Sequence, residues 1–187
     1  MARIFFDTEF TGLHKDTSLI SIGLISEDNK CFYAEFSDYD ETQVNDWIQD
    51  NVINNLWIQS GRFSWDYPDF YYFAKKEEIA LKLAEYFKQF DSVELVSDVC
   101  HYDMVLLIDL FGNAFNLPDN VSAVCHDINQ DIADFHNISD AEAFHVSREE
   151  VLENNNLEIK GSKHNALYDA KVIKAIYEIV NKDKYRE

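Results

Sequence analysis

Arg3-Ile4-Phe5-Phe6-Asp7-Thr8-Glu9-Phe10 is the stretch on which the reading of the fold turns. Residues 3–7 read as a short, mostly apolar strand. Asp7 and Glu9 lie two apart at its end, and the period-two alternation of extended chain points both to one face. Two carboxylates side by side at a sheet edge repel each other unless a cation lies between them. The Thr11-Gly12-Leu13 turn that follows lets backbone approach a ligand closely. Working outward, residues 19–26 (Leu-Ile-Ser-Ile-Gly-Leu-Ile-Ser) form a second strand and residues 31–36 (Cys-Phe-Tyr-Ala-Glu-Phe) a third. Glu27-Asp28-Asn29-Lys30 between them is a turn of the kind that joins antiparallel neighbours. The chain therefore opens with a three-stranded meander.

Farther along, Val44, Trp47, Ile48, Val52 and Leu56 stand at helical spacing and predict a helix within 41–57. Residues 58–73 are crowded with aromatic side chains around Pro68 and read as an irregular or short-helical lid. Its rings could stack on bases, but hydrophobic packing or a subunit contact is the preferred reading. An amphipathic helix follows over 75–90, with Ile79, Leu83, Tyr86, Phe87 and Phe90 on one face. Residues 93–97 predict a strand, 103–115 a buried helix, 122–125 a further strand and 127–136 another helix. The region 139–161 looks less regular, and 165–181 closes the chain as a strong helix. Antiparallel strands followed by alternating helices and strands give an α/β class.

The bulk numbers agree with one domain spanning residues 1–187. Apolar residues make up 47% and aromatics 14%, which excludes global disorder. Sixteen Lys and Arg face 35 Asp and Glu, a formal charge of −19. That balance argues against a broad grip on duplex DNA, which needs a basic footprint. A narrow site for one strand end remains compatible, because bound metal supplies positive charge locally. Cys31, Cys100 and Cys125 are odd in number and lack CxxC spacing, so they read as small thiols in a reducing cytosol. With no signal-peptide pattern and no membrane-length apolar run, the expected location is the cytoplasm, away from any membrane.

Two more acids complete a set. Asp103 sits at the start of its predicted helix, where a first-turn acid is favoured by the helix dipole alone. Asp169 lies one turn into the last helix, five residues after His164, and a lone histidine there is ordinarily structural. Each has a plain explanation singly, but four carboxylates and a histidine on separate elements are harder to explain so. Together such groups support two-metal phosphodiester hydrolysis, with ions about 4 Å apart. Histidine, with an ordinary pKa of about 6.5, can take the proton of the attacking water. All-oxygen carboxylate ligation suits Mg²⁺ or Mn²⁺, two ions per site, better than zinc.

At these residues the sequence resembles the histidine branch (DEDDh) of the DEDD exonuclease superfamily. Asp7-Thr8-Glu9 matches the first motif, Tyr102-Asp103 the second, and His164 with Asp169 the third. The resemblance implies a ribonuclease H-like fold: a mixed central sheet, antiparallel meander first and parallel strands after, flanked by helices. It implies 3'→5' removal of nucleotides, with Asp7, Glu9, Asp103 and Asp169 as metal ligands and His164 as general base. It further implies contacts from Phe10, Thr11, Gly12 and Leu13 to the terminal nucleotide, Leu13 packing on a base, and Tyr102 beside them as part of the substrate-binding set. Phe10 stands where proofreading members have threonine, and Asp98 and Val99 stand where they carry His or Asn. Asp-Thr-Glu-Phe, Leu-Ile-Ser-Ile-Gly, Tyr33-Ala34 and the Trp47–Leu56 pattern are similar to the RNase AS type of bacterial exoribonuclease. That similarity implies the 3' end of single-stranded RNA as substrate, adenylate-rich tails among the candidates, and a homodimer. The alternatives are a DNA exonuclease of the proofreading or repair kind, a non-catalytic nucleic-acid-binding module, and a structural calcium site.

Overall fold

The computed structural model describes residues 1–61 and 70–182. A six-stranded sheet runs in the order β4-β3-β2-β1-β5-β6. β1 (Ala2–Phe10), β2 (Leu19–Ser26) and β3 (Cys31–Phe36) are the antiparallel meander. β5 (Val93–Ser97) and β6 (Val121–Asp127) add to β1 in parallel, and β4 (Phe70–Ala74) adds in parallel to β3. The sheet is mixed and the class is α/β, as the sequence predicts.

Alternation along β1 divides the core into two layers. Ile4 and Phe6 face α2 (Lys76–Phe87) and α3 (His101–Leu110), packing with Ile79, Leu83, Met104 and Leu107. Phe5 faces the other layer, built from α4 (Ile128–His136), α6 (Arg148–Asn154) and α7 (Ala166–Val180). The same parity sends Asp7 and Glu9 toward α7.

Three elements differ from the sequence expectation. Residues 41–57 are a 3-10 turn, a short helix α1 (Asp46–Asn51) and a second 3-10 turn, not one helix. Asn51 and Asn55 donate their amides to the carbonyls of Trp47 and Asn51; such local bonds compete with helix propagation. Residues 70–74 are not part of a lid but the edge strand β4. Phe70 and Tyr72 pack into the core while Tyr71 and Phe73 stay exposed, an alternation that four aromatic residues in a row conceal. The rings of Phe63, Trp65 and Tyr67 lie outside the described residues. The region 139–161 contains α5 (Asp140–Ala143) and α6, each started by a serine cap, Ser139 and Ser147. Among the described residues no helix is long and apolar enough to cross a membrane.

Candidate active site

Gly23 is the residue that lets the site form. It stands opposite Asp7 on β2, and a Cβ there would lie 2.2 Å from the backbone nitrogen of Leu167. Without a side chain, the first turn of α7 lies directly on the sheet and sets Asp169 over the end of β1. From the opposite face, the N-terminus of α3 delivers Asp103. Its Oδ1 accepts hydrogen bonds from the Thr8 backbone N–H at 3.0 Å and the Thr8 hydroxyl at 2.6 Å. Thr8, between the two strand acids, thus ties the third carboxylate to the first two; it stood in the quoted motif, but nothing in the sequence marks it as a clamp.

The result is a cleft of about 540 Å³ lined by Asp7, Glu9, Asp103, His164 and Asp169. Oxygen and nitrogen atoms of Glu9, His164 and Asp169 lie within 4.8 Å of one another, with His164 Nδ1 3.9 Å from Glu9 Oε1. Burial, then the other acids of the cluster, hold the carboxyls of Asp7 and Glu9 well above the carboxylate range. Burial raises Asp103 to about 6 despite the two Thr8 bonds, and raises Asp169 to about 7. A carboxylate oxygen of Glu9 and one of Asp169 lie within 4.8 Å of each other. Two carboxylates that close repel unless a proton or a cation lies between them. His164 moves the other way: burial lowers it below an ordinary imidazole, so it is neutral at pH 7.

His164 itself adopts a left-handed backbone (φ 62°), and its N–H donates to Asp169 Oδ2 at 2.8 Å. The half-exposed Trp47 ring meets the imidazole edge-on at 5.1 Å. Val99 also adopts a left-handed backbone (φ 52°) at the β5–α3 turn on the cleft wall, a strained setting for a β-branched residue.

The expected substrate residues divide. Phe10 lines the cleft, and Tyr102 stacks on it with ring centroids 5.5 Å apart. Leu13 projects into solvent on the turn beyond. Thr11 is buried, its hydroxyl donating to Gln43 Oε1, and the Gly12 N–H donates to Thr17 Oγ1. The far wall was not foreseen: Phe144, Val146 and Arg148 come from the stretch that reads as irregular, and Lys163 from just beyond it. Arg148 holds Asp98 through two 2.7 Å bonds and donates also to the carbonyls of Ala143 and Val146. No local pattern signals that pairing, whose partners lie 50 positions apart.

Residues 2–180 match the Rv2179c-like family, described as the 3'-5' exoribonuclease Rv2179c-like domain. The chain belongs to this family. Over 130 residues this family member is 30% identical to the 3'-5' exoribonuclease Rv2179c of Mycobacterium tuberculosis H37Rv, covering 68% of the chain and 72% of that protein. The fold is similar to the nuclease domain of 3'hExo, a DEDDh family member, bound to rAMP, with TM-score 0.68 and 14% identity over 97% of this chain and 92% of that one. It is also similar to S. pombe Pop2p in a Mg²⁺- and Mn²⁺-bound form, with TM-score 0.59 and 13% identity over 96% of this chain and 82% of that one. The fold of this Rv2179c-like domain is therefore the ribonuclease H-like one.

Proposed function

We propose that the chain is a metal-dependent 3'-5' exoribonuclease acting on the 3' end of single-stranded RNA. In this reading Asp7, Glu9, Asp103 and Asp169 hold a pair of Mg²⁺ or Mn²⁺ ions and His164 is the general base. The observation that carries it is one cleft in which Glu9, His164 and Asp169 place ligand atoms within 4.8 Å of one another beside Asp7 and Asp103, with all four carboxyls raised in pKa by burial. Such a set is costly as bare charge, and its hard oxygen donors fit Mg²⁺ or Mn²⁺. Family membership supplies the reaction class, 3'-5' hydrolysis of RNA.

Divalent ions bound there would supply positive charge for the attacking water and for the leaving oxygen. The chain's own part is to orient and to move a proton. His164, neutral at pH 7 and facing Glu9, takes the proton of the attacking water. The Phe10–Tyr102 stack offers a ring surface for a base at the cleft, and Leu13 offers an exposed apolar one. Adenylate-rich tails as substrate, a homodimer and a cytoplasmic location belong to the same proposal; the three cysteines are free thiols, which suits that compartment.

The test is digestion of 5'-labelled RNA and DNA oligomers of matched sequence with Mg²⁺. The expected result is an RNA ladder shortening from the 3' end, lost on chelation and slowed to a small residual rate by His164→Ala. Equal or faster cleavage of DNA would overturn the RNA assignment, and unchanged turnover in His164→Ala would remove the histidine from its role.

A further inference from the structure

Glu35 is fully buried in β3, in register with Glu9 two strands away through Ser21, and four donors converge on its two oxygens. The backbone N–H groups of Trp57 and Ile58 reach Oε1 at 2.7 Å each, and that of Gln59 reaches Oε2 at 2.9 Å. The fourth donor is the Tyr33 hydroxyl, 2.9 Å from Oε1. A buried acid on an interior strand is costly, and the chemistry described so far gives it no task.

The direction of the bonds supplies one. Tyr33 has a single O–H, and burial followed by the neighbouring Glu35 charge raises its pKa so that the proton stays on. Having donated to Glu35, the phenol oxygen can only accept. It accepts from Asn165 Nδ2 at 3.1 Å, and the same amide donates to the Asn55 carbonyl at 3.1 Å. With its NH₂ so engaged, Asn165 must turn Oδ1 toward α7, where it caps the helix by accepting from Tyr168 N–H at 3.2 Å. Asn55 in turn donates to the Lys163 carbonyl at 3.1 Å. The turn that carries Asn55 leads directly into the backbone that Glu35 caps. His164 is thus bracketed on both sides by one continuous chain of bonds, which helps hold it in its left-handed conformation.

We infer that Tyr33 and Glu35 are positioning residues for His164, acting through Asn165 and Asn55 without touching substrate. The inference rests on the reading of His164 as general base. Displacing a base by a fraction of an ångström costs turnover more than affinity.

The experiment is a double-mutant cycle between Tyr33→Phe and His164→Ala, with kcat and KM on an RNA oligomer and thermal unfolding recorded for every variant. Tyr33→Phe lowers kcat on the order of tenfold with KM within twofold. In the His164→Ala background the same change alters the residual rate by less than twofold. Asn165→Asp, which keeps the cap oxygen and deletes the donor, repeats the pattern and serves if Tyr33→Phe does not fold. Equal fold-losses in both backgrounds, or no loss in the native one, would overturn the positioning role while leaving His164 as base. A His164→Ala enzyme as fast as the native one would instead overturn the base assignment, together with the inference built on it.

Discussion

Asp169→Asn should stabilise the metal-free protein while abolishing its activity. Asp169 is pushed up to about 7 from an ordinary value of 3.8, a displacement worth about 4 kcal/mol between its two protonation states. The sign follows from the direction. The folded state holds the proton more tightly than the unfolded one, so charged Asp169 is a penalty fully present above pH 7. The penalty fades as pH falls through the folded value and is gone near the unfolded value, about pH 4. Asparagine mimics the protonated form and keeps an oxygen for the His164 N–H, so it removes the penalty at high pH only. Solvent in the open cleft halves the effect to about 2 kcal/mol, which for a chain of this size is a rise of about 5 °C in melting temperature. The assay is thermal unfolding of both proteins in EDTA at pH 8 and pH 4.5, repeated at pH 8 with saturating Mg²⁺. In EDTA the variant melts higher at pH 8 and level with the native protein at pH 4.5. With Mg²⁺ the order reverses, because a ligand that binds only the native fold stabilises it and the variant has lost a donor. A variant that melts lower in EDTA at pH 8, or gains equally at both pH values, would refute the picture of an acid strained by burial and like charge.

Gly23→Ala should destabilise by about 3 kcal/mol or more, because the added Cβ meets backbone of α7 at 2.2 Å and backbone cannot step aside as a flexible side chain can. Urea unfolding reads the loss, and a cost below about 1 kcal/mol would show that α7 has room to move. Arg148→Ala should cost about 3–5 kcal/mol, since it strips a bidentate partner from Asp98 and leaves two carbonyls without their donor. A loss within the range of an exposed ion pair, under about 1 kcal/mol, would refute the importance of that wall.

The meander was legible because its signals are local: three apolar strands, an Asp-Asn-containing turn, and strict alternation on β1. The last helix was legible for the same reason, and the structure shows Asn165 as its cap. β4 was not, since a parallel edge strand depends on β3 across more than thirty residues, and Phe70-Tyr71-Tyr72-Phe73 hides which faces are buried. The 41–57 segment carries helical spacing, but its asparagines spend their amides on nearby carbonyls, a choice invisible in apolar periodicity. Thr11 and Gly12, expected beside the terminal nucleotide, also bond to Gln43 and Thr17, pairings that only the folded turn creates.

The cluster of acids was readable for a deeper reason than motif matching. Asp7, Glu9, Asp103 and Asp169 oppose the fold: Glu9 and Asp103 are buried, Asp7 and Asp169 half-buried, they repel one another, and no rule of strand or helix formation calls for all four. Residues that cost stability stand out in a sequence because packing does not explain them. The residues that hold those acids and His164 in place are hidden for the converse reason. In the structure Gly23 is a strand residue, Tyr33 a core residue and Asn165 a helix cap, ordinary roles that single none of them out. What the structure adds is that one residue serves two purposes: Gly23, lacking a Cβ, seats α7 beside Asp7, and Asn165 caps α7 with its Oδ1 while its Nδ2 engages Tyr33. Supports that double as ordinary structure leave no excess in the sequence, so they emerge only when the direction of every buried hydrogen bond is followed to its end.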